Sequence, residues 1–419
     1  MMNQAFYTGL SGLKNYSTGI DVISNNLANT STVGFRGYKA EFASLFEDTL
    51  DTTSSLISDH VGSGVRVQTS GMQLDEGTLM LTDRSTDLAI TGNGWFGIEG
   101  KENTPVYTRD GSFSIDANAD LVTNDGYFVL GTLANNISKD NVLTQQLGET
   151  ELGDITTQER LRFPQTLTYP TQPSTKVDFF GNLGVGFDPM TMSSSLIDSQ
   201  GNRNNVEVVF TKDSQQNGTG SQYNVVAKVT SADGEVSYDT QEGRVTFDEK
   251  GALVSSTLQS VDNNGAKVSL NFGKGSQGVI AIDTFQTSFS SSADGIMGGD
   301  LVGYSINENA DIIASFSNGE ESSIGKVGVY HFQNDQGLAR VSGTRFQESA
   351  NSGKAQIFHD ANGKNIIGTT VLNHKLEASN VDMTAGLTEL IVLQRSYDAN
   401  SKSVTTADQM IQKALSMDA

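Results

Sequence analysis

The chain has 419 residues, with 27 basic against 49 acidic side chains, a formal charge of −22, and no cysteine. That acidity excludes a nucleic-acid backbone as partner, which needs a basic footprint, and disfavours an anionic membrane surface. The missing cysteine removes disulfides, thiolate nucleophiles, iron–sulfur clusters and cysteine zinc sites.

The first residues, MMNQAFYTGLSGLKNYSTG, lack a basic n-region, an unbroken apolar h-region and a small-residue cleavage site. The expectation is a cytoplasmic chain, or one exported without a cleavable signal. No window approaches the roughly 18 consecutive apolar residues of a membrane-spanning helix. From about Asn3 to Ala28, Phe6, Leu13, Ile20 and Leu27 recur every seven residues, Tyr16 and Ile23 fall three residues after two of them, and Leu10 widens the stripe. This repeat predicts an amphipathic helix with coiled-coil character.

The middle of the chain reads as strand. Turn signals such as Gly92-Asn93-Gly94, Asp110-Gly111, Asn124-Asp125-Gly126, Asp233-Gly234 and Asn318-Gly319 separate β-rich runs such as Tyr127-Phe128-Val129-Leu130 and Val206-Glu207-Val208-Val209-Phe210. Their density predicts all-β domains. Pro164, Pro170, Pro173 and Pro189 cluster where one β domain is expected to give way to another. Near the C-terminus Met383, Leu390, Tyr397, Val404 and Ile411 again stand seven apart, with Leu393, Ala407 and Ala414 at the half-step. Ser379 to Asp382 supplies an N-terminal cap for a helix over about Asn380 to Ser416.

The shared heptad period predicts that the terminal helices pair as a coiled coil. A β protein with two unrelated end helices is the alternative. The expected fold is mainly β with α-helical termini and nested domains, two stacked β domains with the outer one inserted in the inner. Its parts are a helical domain from 1–30 and 375–419, a linker and contact region at 31–71, an inner β domain from 72–150 and 290–374, and an outer β domain at 151–289. Burying a Leu or Ile is worth roughly 1.5–3 kcal/mol. A helix pair packed only on itself leaves much of that gain unrealised, so neighbouring copies are its natural cover.

Site chemistry is sparse. Gly92-x-Gly94-x-x-Gly97 and Gly273-x-Gly275-x-x-Gly278 match a dinucleotide pattern, but strand-like residues follow where a helix should begin, so hairpin turns are the reading. Asp116-Ala117-Asn118-Ala119-Asp120 imitates a calcium loop without its glycine or closing glutamate. His60, His331, His359 and His374 lack metal-ligand spacing, and no nucleophile elbow accompanies His359-Asp360. No catalytic residue, cofactor or metal site is expected.

Ser24-Asn25-Asn26-Leu27-Ala28-Asn29-Thr30-Ser31-Thr32-Val33-Gly34-Phe35-Arg36 closely resembles the signature of bacterial flagellar rod and hook proteins, carried here by Ser24, Asn26, Ala28, Asn29, Thr32, Gly34 and Phe35. Leu81 to Ile98 and Tyr107 to Phe113 are similar to the β core of that family, and Leu376 to Asp382 and Gln394 to Ser401 to its C-terminal helix. The large insert, with Thr168 to Pro173 and Phe179 to Leu183 near its start, points to the hook members rather than the shorter rod members. The resemblance implies a self-assembling homopolymer, a flexible tube that transmits torque from rod to filament as a universal joint. Its implied partners are the distal rod protein, the hook cap protein, the hook–filament junction protein and the flagellar export apparatus, with no nucleic acid and no membrane insertion. Its implied place is outside the cell, in the hook and basal body. Interface residues are expected at Phe6, Leu10, Leu13, Tyr16, Ile20, Ile23 and Leu27 on the first helix and Met383, Leu390, Leu393, Tyr397, Val404 and Ile411 on the last. A distal rod protein or second hook-like paralogue is the alternative within the family. A β-rich carbohydrate-active enzyme or adhesin is the remote one outside it.

Overall fold

A computed structural model describes residues 2–45, 47–49, 60–62, 64–100, 104–184, 188–214, 220–282 and 287–417. Two helices bracket a large body of strands: α1 (Met2–Ala28) and α2 (Met383–Met417). At about 1.5 Å per residue they are roughly 40 and 52 Å long. The α2 start is fixed by Asp382, whose carboxylate accepts the amide protons of Thr384 (2.8 Å) and Ala385 (3.1 Å), two groups a helix leaves without internal partners. The end of α1 is capped from its own side chains: Asn29 donates to the Asn25 carbonyl (2.8 Å) and Thr30 to that of Leu27 (3.1 Å). The helices pair antiparallel, Gly9 lying against Val404, Gly19 against Leu393 and Leu27 against Gly386.

After α1, strand Tyr38–Ser44 pairs antiparallel with Val65–Met72, which runs one residue past the expected contact region 31–71, with a bulge between Glu41 and Phe42. This hairpin lies along α1, where the Tyr16 and Phe42 rings sit 5.6 Å apart.

The inner β body is built around an extended 13-stranded sheet with a buried cluster on each side of its centre. Alternation of side chains along each strand sends Phe96, Ile98, Val106, Val129 and Val329 into one core and Trp95, Tyr107, Leu130 and Tyr330 into the other. The first core also takes Leu161, Phe163, Leu167 and Tyr169, then Ile306, Ile312, Phe316 and Ile324 from the far side of the insert.

The expected domain boundary at 151 therefore falls inside the inner core. The Pro cluster does lie where the chain changes body, but Leu161, Phe163, Leu167 and Tyr169, expected in the outer domain, pack in the inner core. The chain crosses to the outer body between Gln172 and Lys176 and returns at Asp294 to Ile296. Gln172 and Ile296 exchange backbone hydrogen bonds (2.8 and 2.9 Å), and the Asp294 carboxylate accepts the amide protons of Thr175 and Lys176 (2.8 and 3.0 Å). The outer body is a sandwich. A five-stranded antiparallel sheet from Met190–Ile197 to Leu253–Ser256 faces a six-stranded one that includes Lys176–Asn182 and Ala266–Asn271. Val206, Val208 and Phe210 meet Phe179, Leu270 and Phe272 between the sheets.

Candidate assembly site

On α1 the close contacts with α2 run through the buried glycines Gly9, Gly12 and Gly19, and through Leu27 of the expected stripe. A Cβ on Gly9 would stand 2.7 Å from Val404 Cγ2, one on Gly12 2.6 Å from Asn400 Oδ1, and one on Gly19 2.9 Å from Leu393 Cδ1. Bare backbone lets α2 come this close, at the usual helix cost of about 1 kcal/mol per glycine. Of the expected residues, Ile23 is buried here, Tyr16 packs on the hairpin, and Phe6, Leu13, Ile20 and Leu27 are half-buried. Leu10 points outward, as does Tyr7. The missed residues carried a signal: the glycines share the three-four spacing with Tyr16, Ile23 and Asn26.

On α2, Leu393 and Ala407 are buried, and Leu390, Val404 and Ile411 are half-buried. Met383 and Tyr397, expected in the same seam, are 55% and 38% exposed. Met383 instead begins an outward apolar stripe with Leu387 and Ile391, four residues apart and so on one face, beside Val392 and, further on, Met410.

The motif after α1 is a fastening point. Buried Asn26 holds both backbone groups of Tyr38, donating to its carbonyl (2.6 Å) and accepting from its amide (3.0 Å). Asn15, eleven residues earlier on the helix, does the same to the other hairpin strand, donating to Val65 O and accepting from Val67 N (2.7 and 2.8 Å). Two side-chain amides thus imitate a neighbouring strand. Asn29 accepts from the Thr32 hydroxyl (3.1 Å). Gly34 has φ +66°, and a Cβ there would lie 2.4 Å from the Asp110 amide, so both the turn and the approach to the β core require glycine. Phe35 is buried under the Arg340 guanidinium, 5.0 Å from its ring. Ser24 and Ala28 face solvent.

Behind the motif lies a buried polar node that sequence reading did not single out. Arg36 pairs with Glu377 at 2.9 Å, both side chains 2% exposed, and Arg109 approaches the other carboxylate oxygen at 3.3 Å. The Gly77 amide also donates to Glu377 (3.0 Å), Arg36 donates to the carbonyl of Asp75, and Arg109 to those of Ile90 (3.2 Å) and Gly92 (2.6 Å). Burial, helped by the Arg36 charge, pushes the Arg109 guanidinium down to about 10 against the opposing pull of Glu377, Asp335 and Glu76. Asn380 completes the joint, accepting from Gly37 N (2.8 Å) and donating to the carbonyls of Gln73 and Asp75 (3.0 and 2.8 Å).

Elsewhere several of the groups singled out in the sequence are engaged within the fold. Gly273 and Gly278 pair across a hairpin, and the Asp116 carboxylate closes its own turn on Asn118 and Asp120. In a cleft of about 760 Å³ on the inner body, Glu99 is tied to Arg160 (2.5 Å), Asp120 to Arg162 (2.6 Å), and Glu348 accepts from the Tyr107 hydroxyl (3.0 Å). Among the described residues no group of three His, Asp or Glu is placed to hold a metal ion. The His60 side chain lies outside them.

Four family models match in chain order. They are flagella basal body rod protein at 6–36, flagellar hook protein FlgE/F/G D1 domain at 89–162, flagellar basal body protein FlaE D2 domain at 190–321, and flagellar basal body rod FlgEFG protein C-terminal at 373–417. The chain belongs to the flagellar hook protein family. Two family members are similar over their whole length: the flagellar hook protein FlgE of Borreliella burgdorferi, 28% identical over 98% of this chain and 99% of its own, and that of Escherichia coli, 28% identical over 97% and 98%. The crystal structure of the Helicobacter pylori flagellar hook protein FlgE2 shares the fold, with a TM-score of 0.53 at 17% identity over 71% of this chain and all of that one. The third family match runs past the sandwich into strands Gly299–Ile306 and Asp311–Phe316, which pack in the inner core.

Proposed function

We infer that this chain is a structural subunit of the bacterial flagellar hook, polymerising into a flexible tube that transmits torque from rod to filament. Full-length similarity to hook proteins supports the role, and the observation that carries the mode of assembly is the outward apolar stripe Met383, Leu387 and Ile391 on a helix already paired on its other side. In this reading the paired helices form the inner wall. Phe6, Leu10, Leu13 and Ile20 with Met383 and Tyr397 meet adjacent copies, while Ile23, Leu27, Leu390, Leu393, Val404 and Ile411 hold each pair together and Tyr16 seats the hairpin. The hairpin region 31–71 sets the helices against the inner β body, and the outer sandwich forms the tube exterior, where contacts must be small and wet to let copies slide as the tube bends.

The subunit acts without catalysis. It leaves the cell through the flagellar export apparatus, and its axial partners are the distal rod protein, the hook cap and the hook–filament junction protein. Electron microscopy of basal bodies from cells lacking the gene tests the role. Rods ending without hook or filament are expected; intact hooks would make the chain a paralogue, and a truncated rod would place it below the hook.

A further inference from the structure

Strand Leu79–Leu81 pairs with Lys375–Glu377 into a two-stranded ribbon just before α2. Successive side chains alternate faces, so Leu79 and Leu81 stand on one side and Met80, opposite Leu376, on the other. Such a ribbon is marginal in water unless a face of it packs on something. Here all three apolar side chains are open, Leu79 at 41%, Met80 at 43% and Leu81 at 82%. The stretch Gly77-Thr78-Leu79-Met80-Leu81-Thr82 carries no charge. The outward stripe of α2 is equally poor in charge, since from Met383 to Leu393 only Glu389 is ionised. In a chain of net charge −22, two copies can therefore bring these surfaces together without setting acid against acid.

A tube that grows by head-to-tail addition joins two different patches of each copy. The stripe Met383, Leu387 and Ile391 is one of them, and its counterpart must lie at a matching height. Glu377 stands six residues before Met383, so the ribbon ends within about 20 Å of the start of the stripe. The open apolar pair on α1, Tyr7 and Leu10, lies instead beside Val404, roughly 25 Å further along α2 than Leu387. Given the hook-subunit role inferred above, we propose that Leu79, Met80 and Leu81 form the surface that receives the Met383–Leu387–Ile391 stripe of a neighbouring copy. The contact exists only between copies in the tube, where both surfaces leave water together.

The absence of cysteine makes the contact directly readable. Hooks are isolated from cells whose only copy carries Leu81→Cys and Leu387→Cys, then treated with a short bismaleimide. Because each link joins one subunit to the next, a ladder of multimers is expected on a denaturing gel, while either single-cysteine variant stays monomeric. A monomer band alone, whether unreacted or linked within one copy, would overturn the proposal. In the Leu81→Cys variant alone, the thiol should react with a maleimide at least about tenfold more slowly in hooks than in the unassembled subunit. Equal rates would also overturn it. Hooks of the parent cell that lack this chain would instead overturn the hook-subunit role itself.

Discussion

In the outer sandwich, Val206, Val208 and Phe210 on one strand and Tyr223, Val225, Ala227 and Val229 on the next are all covered by the facing sheet. Among the described residues of α2, only Leu393 and Ala407 are buried, while Met383, Leu387, Ile391, Val392 and Met410 stay open. Both regions obey a strict periodicity. A period of two, repeated over paired strands, closes a core within one chain. A period of seven on two helices covers one side of each and leaves the other. The sandwich therefore carries its stability with it, whereas in the proposed assembly the helix pair draws part of its own from neighbouring copies, by mass action.

That contrast breaks most visibly at Phe210. Its replacement by Ala removes a fully buried ring and should cost about 3–5 kcal/mol. Hydrogen exchange should accelerate across strands Arg203–Lys212 and Gln222–Ser231, while helical circular dichroism is kept. Equal loss of both signals would mean that the bodies are not independent.

Gly12→Val makes the reverse test. The added side chain meets Asn400 in a contact too close for any Cβ, and overpacking of this kind costs about 1–3 kcal/mol. Helical signal should fall and tryptic cleavage after Lys14 should rise, with the sandwich unmoved.

The smallest effect concerns His331, buried in the inner body with Nε2–H donating to the Ile367 carbonyl (2.6 Å) and its ring stacked on Phe358 at 3.9 Å. Burial holds its pKa below the ordinary value against Ile367 and Asp335, with Arg109 adding to the depression. In the unfolded chain the imidazole takes a proton near its ordinary value of about 6.5. Its contribution is therefore complete above that pH and is lost as pH falls toward the lower folded value. The inner body should melt progressively earlier as pH drops from 7 to 5, and His331→Gln should flatten that slope. An unchanged slope would rule the residue out.

Both helices, the β middle and the nested order were legible because each rests on local periodicity or turn chemistry. On α2, Leu393 and Val404 stand against Gly19 and Gly9 of α1. Met383, counted in the same register, is exposed, because a seven-residue count is blind to which of two faces the helix start presents. The glycine line was passed over because glycine is weak in helices, and its merit here, close approach, exists only once a partner helix is present. The boundary at 151 falls inside the inner core because Leu161, Phe163, Leu167 and Tyr169 join it, and nothing in their local sequence says which of two β cores they enter. Asn26 was legible as a helix stop but not as a clamp on Tyr38. Nor does local sequence reveal that Arg36, Arg109 and Glu377 meet, since no periodicity links residues so far apart.

The central claim is that the open face of α2 is where copies meet. Electron microscopy of basal bodies from cells whose only copy carries Leu387→Glu and Ile391→Glu tests it most directly. The account predicts rods without hooks, with folded subunit released into the medium and melting as the parent does. Normal hooks built from that variant would contradict it.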